Sequence, residues 1–243
     1  MQITDNTFTE IVQRNQYQTL SKIKINGVEY GEDVLQDMSI HRKLFNGDTP
    51  SIGGCVAAEI DVNIYLESSM VGRMAELIPM ICVSDDVATS DWYPQGVFYV
   101  DTRLYNVDTG LLTLHGYDAI LKMEQPYIRS MYGAKQTSWD KYQRTAATEI
   151  CNFLGITLDN PTAISTLYKV TYPGFGEGEL TFREVMGYIA ASNCGNWTTT
   201  KDGKLRLVIF GDLPTETNYL LADNDGNYLT VGTGANEKRI LLQ

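Results

Sequence analysis

The chain offers few places for chemistry to begin. His41 and His115 are its only two imidazoles in 243 residues, and imidazole is the side chain best suited to proton transfer near neutral pH. His115 is close in sequence to Asp118. No serine or cysteine beside them sits in a nucleophile-elbow setting, so a packed or surface ring is the better reading. Glu177 and Glu179 lie in the glycine-rich run Pro173–Glu179 and have the residue types of a glycosidase pair. Nothing around them would separate their ionisation, and a solvated loop is expected. Asp223-Asn224-Asp225-Gly226-Asn227 resembles part of a calcium loop. With Gly226 in the sixth position, however, the first and twelfth fall on Leu221 and Gly232, which carry no carboxylate, so a hairpin turn is expected. Gly47–Gly54 lacks the Lys-Ser/Thr ending of a phosphate loop. Trp92, Tyr93, Phe98 and Tyr99 could form an aromatic platform for a ligand, but a strand end plugged into the core fits better. The residues therefore predict no catalytic centre, no cofactor and no metal site.

Composition narrows the class. The net charge is −11 and the sequence pI about 4.6. Residues 1–136 carry 10 basic and 18 acidic side chains, whereas residues 137–243 carry 9 and 12. An acidic chain with no basic stripe is a poor partner for nucleic acid or an anionic membrane. The cysteines at 55, 82, 151 and 194 form no Cys-x-x-Cys pair, so free buried thiols are expected rather than zinc. The N-terminus has no signal-peptide pattern, and the longest apolar run, near Leu77–Val83, is too short to span a bilayer.

The elements that would position these residues are mostly strands. Val56–Leu66 alternates: Val56, Ala58, Ile60, Val62, Ile64 and Leu66 are apolar, while Glu59, Asp61, Asn63 and Tyr65 are polar or amphipathic. A side-chain period of two predicts a strand with one face on a core and the other in water. At about 3.3 Å per residue it would run about 36 Å, inside a large sheet. Asn26-Gly27 between Lys22–Ile25 and Val28–Tyr30 is a hairpin signal. Further strands are expected around Met38–Leu44, Leu77–Val83, Val97–Tyr105, Leu111–Leu114, Trp197–Thr200 and Leu205–Phe210. Helices are expected from Thr7 to Val12, over Ala119–Glu124 capped by Asp118, from Ser138 to Gly155, and from the capping box Thr181–Glu184 to Gly195. A last hairpin is expected around Asn224–Asn227. The fold class is α+β, mainly β.

Several segments together carry a resemblance. They are Phe45-Asn46-Gly47-Asp48 with Ser51-Ile52-Gly53 before the alternating strand, Trp92–Val100, Leu114–Ala119, Thr181–Val185 with Ile189-Ala190, and Asp202–Leu205. In order and spacing they resemble the N-terminal part of bacteriophage baseplate-hub proteins, particularly those of phages and prophages of Gram-positive bacteria. The resemblance covers roughly residues 20–210. It implies an antiparallel β-barrel or sandwich tube-like domain over residues 1–116 and a partly helical inserted domain over 117–205. A return to β over 206–243 would be the start of a second, incomplete tube domain. It also implies a structural virion protein at the tail tip, made in the host cytoplasm, that assembles as a homotrimer. Its expected partners are a tail tube or distal tail protein, a tape-measure protein and a spike or fibre. On that expectation Glu59, Asp61 and Asn63 look into a lumen through which DNA passes, because a conduit for a polyanion should repel phosphate. Two alternatives stay open: the N-terminal part of a tail-associated cell-wall hydrolase, and a host-glycan-binding module.

Overall fold

The computed structural model describes residues 6–14, 16–45, 47, 49–133, 139–172 and 179–210, together with the backbone of four two-residue strands beyond them. Glu177, the Asp223–Asn227 segment, and Asn46 and Asp48 of the resemblance lie outside the described residues. By its internal contacts the chain divides into Met1–Val208 and Ile209–Gln243. In the second unit Tyr219–Leu220 pairs antiparallel with Leu241–Leu242, and Thr230–Val231 with Lys238–Arg239.

The first unit is built on one antiparallel sheet. Its strands are β1 (Gln18–Ile25), β2 (Val28–Tyr30), β3 (Leu35–His41), β4 (Glu59–Tyr65), β5 (Glu76–Ser84), β6 (Tyr93–Pro94), β7 (Phe98–Asn106) and β8 (Leu111–Asp118). The order is β2-β1-β5-β7-β8-β4-β3, with β6 added beside β5. Asn26 and Gly27 take φ of 47° and 87°, the left-handed pair that a two-residue hairpin needs. Ile23 and Ile25 of β1 share a buried cluster with Ile60, Val62 and Ile64 of β4, Phe98 of β7, and Leu112 and Leu114 of β8. Since β1 and β4 lie towards opposite ends of the order, the sheet curls around this core.

The helical part follows the sheet. A short 3-10 turn (Ala119–Glu124) leads to α2 (Tyr127–Tyr132), β9 (Trp139–Tyr142), α3 (Gln143–Leu154), β10 (Lys169–Tyr172), α4 (Phe182–Ser192), β11 (Gly195–Thr199) and β12 (Leu205–Ile209); α1 (Asn6–Gln13) precedes the sheet. The architecture is α+β and mainly β. At α4 the Thr181 hydroxyl accepts from the Glu184 N–H and the Glu184 carboxylate accepts from the Thr181 N–H, completing the capping box. Gly155 closes α3 in the left-handed conformation.

Some expectations need correction. The central strand covers Glu59–Tyr65, seven residues, because its neighbour β8 ends at Asp118, opposite Ala58. Cys55 bridges to Trp197, and Ala58 accepts from the Asp118 N–H while donating its own N–H to the Asp118 carboxylate. Trp139–Tyr142 pairs with β10, so α3 starts at Gln143 rather than after Ser138. Helix α4 stops at Ser192. Cys194, not Gly195, takes the positive φ of 53°. Gly195 instead admits β12, since a Cβ there would lie 2.5 Å from the Val208 carbonyl oxygen. Cys194 is consequently exposed, while Cys55, Cys82 and Cys151 are buried as expected.

Candidate functional site

Strand β4 lies between β3 and β8, and its polar side forms the middle of three cross-strand rows. Asp37, Asn63 and Thr113 make one row, Ser39, Asp61 and His115 the next, and His41, Glu59 and Tyr117 the third. The burial alternation is clean: Ile60, Val62 and Ile64 are fully buried, and Glu59, Asp61 and Asn63 are partly exposed. The rows are knitted by side chains. Thr113 Oγ1 donates to Asn63 Oδ1 at 2.6 Å, and Asn63 Nδ2 donates to Asp37 Oδ1 at 2.8 Å. His115 Nδ1 lies 2.7 Å from Asp61 Oδ1, and its ring meets Tyr117 edge-on at 4.9 Å. All three sequence-predicted residues thus share one ordered, water-facing surface. Opposed polar pairs of this kind stabilise a sheet modestly and set its register.

The buried charge sits elsewhere, at a joint that the sequence pattern did not reveal. Asp118 ends β8 and is 1% exposed. Its carboxylate accepts from the N–H groups of Ala58 and Ile120 and from Thr199 Oγ1, at 2.9, 3.0 and 2.6 Å. Burial pushes this carboxyl above its ordinary value, opposed by those hydrogen bonds and by Arg42. Arg42, expected to continue a strand, turns inward and donates to the carbonyls of Thr199 and Gln95. Burial lowers its ionisation range. Asn196, fully buried, accepts from the Gly54 N–H and donates to the carbonyls of Leu44 and Ser51. Trp197 Nε1 donates to the Met186 carbonyl at 2.7 Å. Gly53, at φ +83°, packs on α4 where an added Cβ would lie 2.9 Å from the Ala191 Cβ. These contacts tie the long β3–β4 connection to α4 and β11.

The remaining candidates have local uses. The Glu179 side chain is not a solvated loop residue; it is 7% exposed and accepts from the Arg129 N–H at 2.7 Å. Phe98 is fully buried and Tyr93 is buried against Phe8, whereas Trp92 and Tyr99 are half-buried under Lys22 and Lys122, so two of the four aromatic rings plug the core. A crevice of about 550 Å³ lies between Ser51–Cys55 and α4, with Ile52, Arg183 and Tyr188 on its walls. Its polar groups are committed: Arg183 donates to the Cys55 carbonyl and to Glu124, and Glu184 belongs to the capping box. Among the described residues no cluster of three or more His, Cys, Asp or Glu could hold a metal ion, and no helix is long and apolar enough to cross a membrane.

No family model and no curated protein matches the chain. Solved structures do. The 43 kDa tail protein of prophage MuSo2 from Shewanella oneidensis aligns with a TM-score of 0.50 at 12% identity, over 79% of this chain and 56% of that one. The tail protein from Neisseria meningitidis MC58 aligns with a TM-score of 0.52 at 13% identity, over 81% of this chain and 53% of that one. The chain shares its fold with phage tail proteins. It spans just over half the length of these two. At such identity the likeness concerns the fold, while the residues of the polar rows and of the buried joint are read from this chain alone.

Proposed function

We propose that this protein is a structural component of a bacteriophage or phage-like tail, and specifically the hub at the tail tip that joins the tube to a spike or fibre. The fold shared with two phage tail proteins carries the reading. The surface chemistry supports it. The Glu59, Asp61 and Asn63 side is polar, hydrogen-bonded and rich in carboxylate, which suits a wall past which DNA slides without sticking. In this reading the chain performs no catalysis, holds no cofactor and assembles as a homotrimer with the polar rows towards the lumen. A tube or distal tail protein and a tape-measure protein contact it above, and the spike or fibre below. Immunogold labelling of isolated tail particles tests the assignment. Label confined to the tip is expected; label along the tube, or none on intact particles, overturns it. Light scattering across dilution tests assembly, since a permanent interface burying about 2,000 Å² or more survives dilution. A concentration-independent monomer removes the trimer.

A further inference from the structure

Both histidines of the chain face carboxylates of one strand. His41 of β3 stands directly across from Glu59, and His115 of β8 directly across from Asp61 and in contact with it at 2.7 Å. Directly opposed residues on one sheet face are close enough to interact. The His115 and Asp61 side chains are 28% and 47% exposed, so protons reach them from solvent. The other groups facing these imidazoles are Asp37 on β3, Tyr117 on β8 and, on β7, Thr102 with Asp101 in the adjoining bulge. Lys43 and Arg183 line the crevice at the Glu59 end. The sheet's other cations have partners of their own: Lys22 and Lys24 pair with Glu29, and Arg103 donates to the carbonyls of Ser68 and Val71.

We propose that the β3–β4–β8 face is a proton-responsive surface, in which His41 and His115 set how much of the negative charge of Glu59 and Asp61 is presented to solvent. Imidazole is the one side chain whose ordinary titration falls between pH 5 and 8. With both rings neutral, the three carboxylates give the rows a charge of minus three; with both protonated the sum over the rows falls to minus one. Two charges are then offset, one at the His115–Asp61 contact and one by His41 across the strands from Glu59, and repulsion towards a phosphate polymer weakens with them. That consequence rests on the conduit reading, whereas the coupling itself belongs to the isolated chain.

A double-mutant cycle tests it. Asp61→Asn, His115→Gln and the double variant are compared with the parent by urea unfolding at pH 8 and pH 5.5, and Glu59→Gln with His41→Gln forms an independent second cycle. The coupling in the unfolding equilibrium constant is expected to rise about two- to fivefold on acidification, the range of exposed ion pairs. Coupling that stays constant or falls in both cycles overturns the proposal. All substitutions are on the water-facing side, and the second cycle decides if one variant of the first fails to fold. A flat cycle with gold at the tail tip defeats only the proton response; a rising cycle with gold elsewhere defeats only the conduit.

Discussion

Two asparagines show how differently one side chain can serve this fold. Asn63 accepts from Thr113 and donates to Asp37 on the open face of the sheet. Asn196 accepts from the Gly54 N–H and donates to the carbonyls of Leu44 and Ser51 with no exposure at all. Asn63 uses one donor and one acceptor, Asn196 both donors and one acceptor. Water can replace every partner of Asn63, but not Asn196 at the buried Gly54 N–H. The cost of an unmade bond depends on whether the abandoned group stays dry. The polar rows are therefore free to serve a surface role, while the joint of Arg42, Asp118, Asn196 and Trp197 holds the helical part on the sheet.

The largest effect should come from the joint. Trp197→Ala removes a fully buried indole and leaves the Met186 carbonyl without its donor. A loss of about 3–5 kcal/mol in unfolding free energy is expected from urea denaturation. A loss under about 1 kcal/mol would mean that the joint is loosely packed. Asn196→Ala should follow at about 2–3 kcal/mol, because the buried Gly54 N–H is left dry and the Leu44 and Ser51 carbonyls lose their donor. If it proved as mild as a surface change, water must already reach the β3–β4 connection.

Asp118 sharpens the contrast through pH. Its folded carboxyl is raised, chiefly by burial, so the folded state holds the proton more tightly than the unfolded chain does. The resulting stabilisation is complete below the ordinary aspartate range and is lost as pH rises through the folded value. Unfolding free energies of the parent and of Asp118→Asn, measured in parallel between pH 4 and pH 7, cancel the other titrating groups. The parent is expected to lose ground to Asp118→Asn as pH rises. A difference that stays flat, or moves the other way, would mean that Arg42 and the three donors outweigh burial.

The same contrast explains what could be read in the sequence. Features that depend on near neighbours were legible: the Asn26-Gly27 turn, the Asp118 cap, the Thr181–Glu184 capping box and Gly155 at the end of α3. The alternation of β4 was legible too, because burial on one side needs only a period of two. The joint was not. Arg42 meets Thr199 across 157 positions and Asn196 meets Leu44 across 152, and nothing near either residue announces a partner so distant. The expected long strand is cut short for this reason, since the Ala58 N–H goes to the Asp118 side chain and the chain just before Val56 bridges from Cys55 to Trp197. Glu179 and Cys194 were misjudged likewise, one side chain drawn in to a distant backbone N–H and the other residue exposed at a helix end.

The smallest expected effect completes the pair. Asn63→Ala cuts the links to Thr113 and Asp37, yet both former partners turn to water. The loss should be under about 1 kcal/mol, within the range of exposed polar substitutions. Ile60, Val62 and Ile64 still bury the other side of β4 and hold its register, so the strand itself remains in place. Urea unfolding of Asn63→Ala beside Asn196→Ala gives a ratio that depends little on the absolute scale. A ratio well above two places the structural burden in the joint and leaves the face free for the conduit role proposed for it. A ratio near one would mean that the polar rows hold the sheet together, and a face needed for its own stability is a poor candidate for the proposed conduit wall.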